Sequence, residues 1–281
     1  MQSCLVLEGG AKRGIYTAGV LDVFLEHNIF TDAVVGVSAG AIHGCSYVAK
    51  QHGRSIRYNI NYNDDYRFMS FKSFLKTGNV VDTDFAYHEL PEKLDPFDHK
   101  TFENSKIKFY VTCTNVETGK AEHIHCPDLR QHYINYLRAS ASLPILSQIV
   151  ELDNKCYLDG GVSDSVPLKA AFDLGYTKNI VVLTRQDGYI KKPFSMLWLA
   201  KFLYRKFPNF INTIKNRHEE YNQTMKYIKD MEENKRLLVI RPSKVIKIKR
   251  MERNIDIVKQ MYELGRQDAL NALEQVKEFL K

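Results

Sequence analysis

The 281-residue chain has no CxxC pair, no long uninterrupted apolar run, no internal repeat and no low-complexity segment. Each absence removes a class of protein. Its five cysteines, Cys4, Cys45, Cys113, Cys126 and Cys156, form an odd set lying mostly inside apolar stretches. That argues for reduced thiols and against a disulfide framework or a structural zinc. The longest late apolar stretch, FSMLWLAKFLY, is interrupted by Lys201 and is too short to span a bilayer. The opening MQSCLVLEGG carries no basic leader before its apolar segment, so no secretory signal is expected and the chain reads as soluble and cytoplasmic. What is present is a composition of 44% hydrophobic and 26% charged residues, suited to one large α/β domain or two small ones. A net charge of +7 favours an anionic partner, either nucleic acid or a lipid headgroup surface.

The spacing of apolar residues predicts a buried strand over 4–7, then a glycine loop and a helix with Ile15, Val20, Leu21, Phe24 and Leu25 on one face. A second strand, AVVGV, is followed by a helix expected to end near Gly53. Strand and helix alternating this quickly predict an α/β fold with a mixed, mainly parallel sheet covered on both faces. Residues 54–104 are rich in Tyr, Asn, Asp and Phe with weak periodicity, and read as a cap or insertion shaping a pocket. Strands resume at IKFYVTCTN and AEHIH around the turn ETGK, a helix is expected near 128–140, and a hairpin follows. VPLKAAFDLG is a helix stopped by Gly175 and NIVVLTR is a buried strand. Beyond residue 193 the chain reads as mostly helical, with one strand at RLLVIRP and a last amphipathic helix from about Ile255.

Three short motifs carry chemistry. Gly36-Val37-Ser38-Ala39-Gly40 has the spacing of a nucleophile elbow, in which a serine stands at a tight strand-to-helix corner and the flanking glycines let the backbones pass. On its own the motif is equally an ordinary helix start with Ser38 as N-cap. EGGAKRG ends the first strand with Gly9, Gly10 and Gly14 around a helix start, where outward-pointing amides and the helix dipole suit a phosphate or an oxyanion. It lacks the lysine and hydroxyl pair of a Walker loop, and Ala11 occupies the second glycine of a dinucleotide fingerprint. If the first two strands are neighbours in a parallel sheet, this loop and Ser38 emerge side by side. Asp159, in YLDGGVSDSVP, follows an apolar strand and precedes Gly160 and Gly161; it can be brought against a serine hydroxyl or can simply start a turn.

LVLEGGAKRGIYTAGVLDVF, GVSAGAIHG, ASASLP and YLDGGVSDSVPLKAA, in this order, resemble the patatin-like phospholipase family over much of residues 4–171. The tail through IRPSKVIKIKRMERNIDIVKQMYELGRQDA is similar to bacterial members. The resemblance implies a three-layer α/β/α sandwich and a catalytic domain over 1–190, with 54–104 as its cap and 191–281 as a helical extension packed on it. It also implies a Ser-Asp dyad with Ser38 as nucleophile and Asp159 as base, and an oxyanion hole from the amides of Gly9, Gly10 and Ala11. Arg13, Gly14, Gly36, Gly40, Gly160 and Gly161 would support loop and elbow, and neither metal nor organic cofactor is required. Arg13 matches the family's arginine, whereas Ala11 replaces its usual glycine and disfavours a positive φ there. The implied activity is hydrolysis of lipid acyl esters of the phospholipase A or lipase type. Acyl transfer on the same site, or non-catalytic binding of an anion or lipid, are the alternatives. A carboxylate alone is a weak proton shuttle, which favours esters over amides. Other arrangements weigh less: His218 could complete a triad in chain order, but it sits in a polar helical stretch, and His123 with His125 is only half a metal site.

From Lys191 to Arg217 the chain holds seven Lys or Arg and no acid, interleaved with Phe194, Met196, Leu197, Trp198, Leu199, Phe202, Leu203, Phe207, Phe210 and Ile211. This pattern fits first a helix covering the sheet with a solvated basic edge, and second peripheral contact with anionic lipid. No recognisable motif supports nucleic acid.

Overall fold

The computed structural model describes residues 2–281. Five strands run parallel in the order β3-β2-β1-β7-β8: β1 (Ser3–Leu7), β2 (Ala33–Val37), β3 (Lys108–Asn115), β7 (Lys178–Val182) and β8 (Leu237–Ile240). Three more, β4 (Ala121–His125), β5 (Val150–Leu152) and β6 (Lys155–Asp159), are antiparallel to their neighbours, giving one mixed eight-stranded sheet. β1 and β2 are buried at every position, so both faces of the sheet are covered. Leu5, Leu7, Val34, Ile180 and Val182 pack with α1 (Ile15–Glu26), α2 (Ala39–Val48) and α10 (Ile255–Leu280). Their alternates Cys4, Val6, Ala33, Val35 and Val181 pack with α7 (Leu168–Asp173) and α9 (Pro208–Glu233). The result is the three-layer α/β/α architecture that the sequence predicts.

Register along β3 decides where the chemistry falls. β2 pairs with residues 108–112 and stops with Val37 opposite Thr112, whereas β6 pairs with 113–115 and stops with Asp159 opposite Cys113. β4 pairs with 110–114 of the same strand. A strand residue has one partner on each side, so β4 fills one edge of β3 while β2 and β6 share the other. They meet there end to end, pointing at each other.

Some boundaries differ from the sequence reading. α2 ends at Val48 rather than near Gly53, because Lys50 takes a left-handed φ of 54° and the Gln51 amide closes back on the Ser46 carbonyl at 2.9 Å. Gly53 instead precedes α3 (Arg54–Asn61). The helix expected near 128–140 is α6 (Ile134–Ser140), shorter by its first turns. Residues 54–104 fold as α3, α4 (Phe71–Thr77), a π-helical segment Phe85–Leu94 around Pro91, and α5 (His99–Glu103). After β7 the chain forms α8 (Leu197–Leu203), α9, β8 and α10. Among the described residues, no helix is long and apolar enough to cross a membrane.

Candidate active site

Where β2 and β6 meet, Ser38 Oγ donates to Asp159 Oδ2 at 2.8 Å, and both side chains are buried. Ser38 sits at φ 54°, ψ −124°, a strained corner between β2 and α2. The corner closes because neighbours lack side chains. A Cβ on Gly40 would lie 2.5 Å from the Leu7 carbonyl oxygen, and one on Gly160 would run into the Thr112 carbonyl. Gly36 and Gly14 are equally crowded, against Ala41 and Ala39. Asp159 Oδ1 accepts from the Gly161 amide at 2.7 Å, which fixes the carboxylate while Oδ2 faces the serine. Burial pushes the Asp159 carboxyl above the ordinary range, and the Arg217 charge works against that push.

The sequence reading assigned no role within ASASLP, yet this stretch holds both ends of the pair. The Ser38 amide donates to Ser140 Oγ at 2.8 Å, and Ser140 in turn donates to the Thr112 carbonyl at 2.6 Å. The Asp159 amide donates to the Ser142 carbonyl at 2.8 Å. Two serines spaced by two, Ser140 closing α6 and Ser142 just past it, are the only signal the sequence offers.

The glycine loop lies beside the serine, as adjacency of β1 and β2 requires. Its three amides are not alike. That of Gly9 donates to the Ser165 carbonyl at 3.3 Å, whereas those of Gly10 and Ala11 donate to no group among the described residues. Ala11 adopts φ 48°, a conformation the missing glycine would take without strain, and begins a 3-10 turn, Ala11–Gly14. Arg13 on that turn has a buried Nε without a hydrogen-bond partner, and burial lowers its pKa, with Arg185 adding to the effect.

Ser38, Ala11 and Leu143 line two cavities at once. One has a volume of about 780 Å³ and an apolar wall that includes Ile42, Tyr58, Phe68, Val80, Leu90 and Leu137. Much of that wall comes from 54–104. Lys12 points in as well, its Nζ donating to Asn59 Oδ1 at 3.1 Å and Asn63 Oδ1 at 2.9 Å, and burial lowers it to about 8. His43, another wall residue, meets Tyr58 Oη at 3.2 Å rather than Ser38, and burial lowers it to about 3. The second cavity, about 70 Å³, is bounded by Gly9, Gly10, Arg13, Asp159, Arg217 and Arg250.

Histidine stays away from the pair. His218 contacts the Lys215 carbonyl at 3.1 Å on α9, and His123 contacts Thr112 Oγ1 at 3.0 Å and Asp164 at 3.6 Å. No group of three or more metal-ligating side chains occurs among the described residues. Trp198, Phe202 and Leu203 on α8 face outward, whereas Phe210 and Ile214 of the same basic segment are buried.

A family model described as patatin-like phospholipase matches residues 5–172, and one described as a domain of unknown function matches residues 207–281. The uncharacterized protein YjjU of Escherichia coli is 29% identical over 273 residues, covering 93% of this chain and 74% of that protein. Lysophospholipase NTE1 of Phaeosphaeria nodorum is 29% identical over 181 residues, 61% of this chain but 11% of that protein. The match therefore spans a small part of that relative's length. Among solved structures, VipD from Legionella pneumophila is similar with a TM-score of 0.39 and 11% identity, over 93% of this chain and 67% of that one.

Strain at Ala11 yields a test. A non-glycine residue in the left-handed region costs on the order of 1 kcal/mol or more. Ala11→Gly is therefore expected to raise the melting temperature by about 2–4 °C in thermal unfolding. An unchanged or lower midpoint would contradict a strained Ala11.

Proposed function

The chain belongs to the patatin-like phospholipase family, a family of carboxylic ester hydrolases, and from that premise we propose that it is a serine lipid acyl hydrolase working through Ser38 and Asp159. The observation that carries this reading is the 2.8 Å bond to a buried carboxylate from Ser38 Oγ, a residue that also lines a large apolar cavity. Ser38 Oγ attacks the acyl carbon as its proton passes to Asp159, and the carbonyl oxygen becomes an oxyanion facing the free amides of Gly10 and Ala11. Collapse of that intermediate expels the alkoxide, which takes the proton back from Asp159. Water, losing a proton to the same carboxylate, then attacks the acyl-serine; the acyl–Oγ bond breaks, Ser38 takes that proton back and the fatty acid leaves.

A carboxylate is a poor base for an alcohol unless its pKa is raised, and burial of Asp159 does this. The Arg217 charge opposes that shift and favours the ionised form that can accept a proton. The 780 Å³ cavity takes the acyl chain. The curated relative named a lysophospholipase supports a lipid carrying a single acyl chain as the preferred substrate.

The substrate lies in a lipid aggregate, and two features support peripheral contact through 191–217. Trp198 and Phe202 on α8 are 70% and 64% exposed, beside Lys201, Arg205 and Lys206. Phe71 and Leu75 on α4 are 60% and 82% exposed, beside Lys72 and Lys76. The chain just past each helix is tied to the segment that runs on from Leu143. The Ile145 amide donates to Tyr204 Oη at 2.8 Å, and the Val80 amide to the Leu146 carbonyl at 2.9 Å. Apolar side chains ringed by lysine and arginine suit an anionic interface.

Three outcomes are expected. Ser38→Ala and Asp159→Asn each lower kcat/KM on short p-nitrophenyl esters by about a thousandfold or more, and Ser38→Ala abolishes fluorophosphonate labelling; retained turnover in both variants would refute the pair. Because the charged Asp159 is the base, kcat/KM falls as pH drops through its raised pKa. Arg217→Gln removes the opposing charge and moves that acid limb upward, and a limb that stays put would contradict the assignment. Burying an aromatic side chain is worth about 1.5–3 kcal/mol, so Trp198→Ser with Phe202→Ser should weaken partitioning onto anionic vesicles at least tenfold. Unaltered sedimentation with vesicles would rule out α8 as the contact.

A further inference from the structure

On the side of Ser38 away from the apolar cavity, four cations gather round the smaller one. Arg13, Arg217 and Arg250 line it, and Lys191 Nζ donates at 3.3 Å to Oγ of Ser165, which lines it too. Among the described residues none of the four has a carboxylate within 4.0 Å. The two acids nearby are already engaged. Asp159 holds Ser38 and the Gly161 amide, and Glu8 is bonded by Thr184 and Tyr221. Arg13 keeps a buried Nε without a partner. Arg217 spends its Nε on the Gly161 carbonyl, which leaves the outer guanidinium nitrogens free for a second acceptor.

Like charges packed into a partly buried cleft repel one another, and an arriving anion relieves that repulsion. Arginine forks match the paired oxygens of a phosphate group. The cavity, at about 70 Å³, has room for on the order of five waters, the scale of a phosphate and not of an acyl chain. Its shared wall with the large cavity at Ser38, Ala11 and Leu143 places an ester bond between the two.

We propose that Arg217 and Arg250, backed by Arg13 and Lys191, form a subsite for the phosphate of a lipid headgroup, so that the leaving alcohol is phosphate-bearing. This rests on the acyl-hydrolase reading for its catalytic consequence, though not for the binding itself. Arg217 stands on α9 and Arg250 on the loop before α10, both within the 207–281 stretch that the patatin-like model does not reach and that a family model described as a domain of unknown function matches. That stretch thereby gains a role: it selects the headgroup for a nucleophile supplied by the first part of the chain.

The test uses the full chain carrying Ser38→Ala, titrated calorimetrically with sn-glycerol 3-phosphate, inorganic phosphate and glycerol. One saturable site for glycerol 3-phosphate, none for glycerol, and at least tenfold weaker binding after Arg250→Gln is the expected result. Arg217→Lys serves as a second variant, retaining the charge but not the fork, and should also weaken binding. Inorganic phosphate binding as tightly as glycerol 3-phosphate would reassign the subsite to free phosphate and overturn the headgroup proposal. No binding, or binding indifferent to Arg250→Gln, would overturn it too. In the serine-containing enzyme, the kcat/KM ratio of a lysophosphatidic acid to the matching monoacylglycerol should fall at least tenfold with Arg250→Gln. Turnover of both esters with an unmoved ratio sinks the subsite and leaves the hydrolase standing. Absence of any turnover sinks the hydrolase, and the titration still decides the subsite.

Discussion

Two strands ending on one edge of β3 are the constraint on which the site depends. Thr112 and Cys113 are consecutive residues, and they fix Val37 and Asp159 as consecutive partners along that edge. Ser38 and the Asp159 carboxylate thus meet with no flexible loop having to bring them together. Positioning of this kind is rigid, because shifting either strand by a single residue would turn its side chains to the opposite face. Gly160 is the consequence at close range, since the chain leaving β6 must pass against the Thr112 carbonyl, where no side chain fits. Ser140 bridges the same carbonyl and the Ser38 amide, so one peptide of β3 organises serine, acid and turn together.

That geometry explains the electrostatics. A carboxylate pinned at the junction of two buried strands is largely desolvated, which drives it toward the protonated form. The counter-influence comes from the other end of the chain. Arg217 holds the Gly161 carbonyl while the Gly161 amide holds Asp159 Oδ1, so α9 reaches the acid through a single residue. Burial lowers Lys191 to about 6, with Arg217 as the next cause. An arriving anion would favour its charged form.

Local signals told most of this story in advance. The glycine loop, GVSAG and Asp159-Gly160-Gly161 were legible because each is a steric requirement of a strand ending, and strand endings are marked by apolar runs that stop at glycine. The parallel arrangement of β1 and β2 followed from two short buried runs joined by one helix. Three things were not legible, each for a physical reason. Gly9 donates to the Ser165 carbonyl, a partner 156 positions away, so nothing local separates its amide from those of Gly10 and Ala11. The role of Ser140 depends on β3 register. Arg217 looked like part of a basic helix edge, and only the packing of α9 against the turn after β6 turns it inward. Ala11 ran the other way, since an alanine argues against positive φ, yet the loop forces it there.

The family match ends at residue 172, before β7 begins, and the hydrogen bonding argues that the working unit extends further. β1 pairs with β2 on one side and with β7 on the other over its whole length. Without residues 178–182 the strand that carries the glycine loop would present an open edge, and an unpaired buried backbone is costly. β8 extends the sheet past β7, and its approach brings α9 and the loop bearing Arg250 over the Ser38–Asp159 pair. α10 then closes on α1 at a crossing where Gly19 and Gly265 each face the partner's backbone too closely for any side chain. The last third of the chain therefore cannot be an appendage to the site. It completes the sheet that holds the loop and supplies the cations that face the serine.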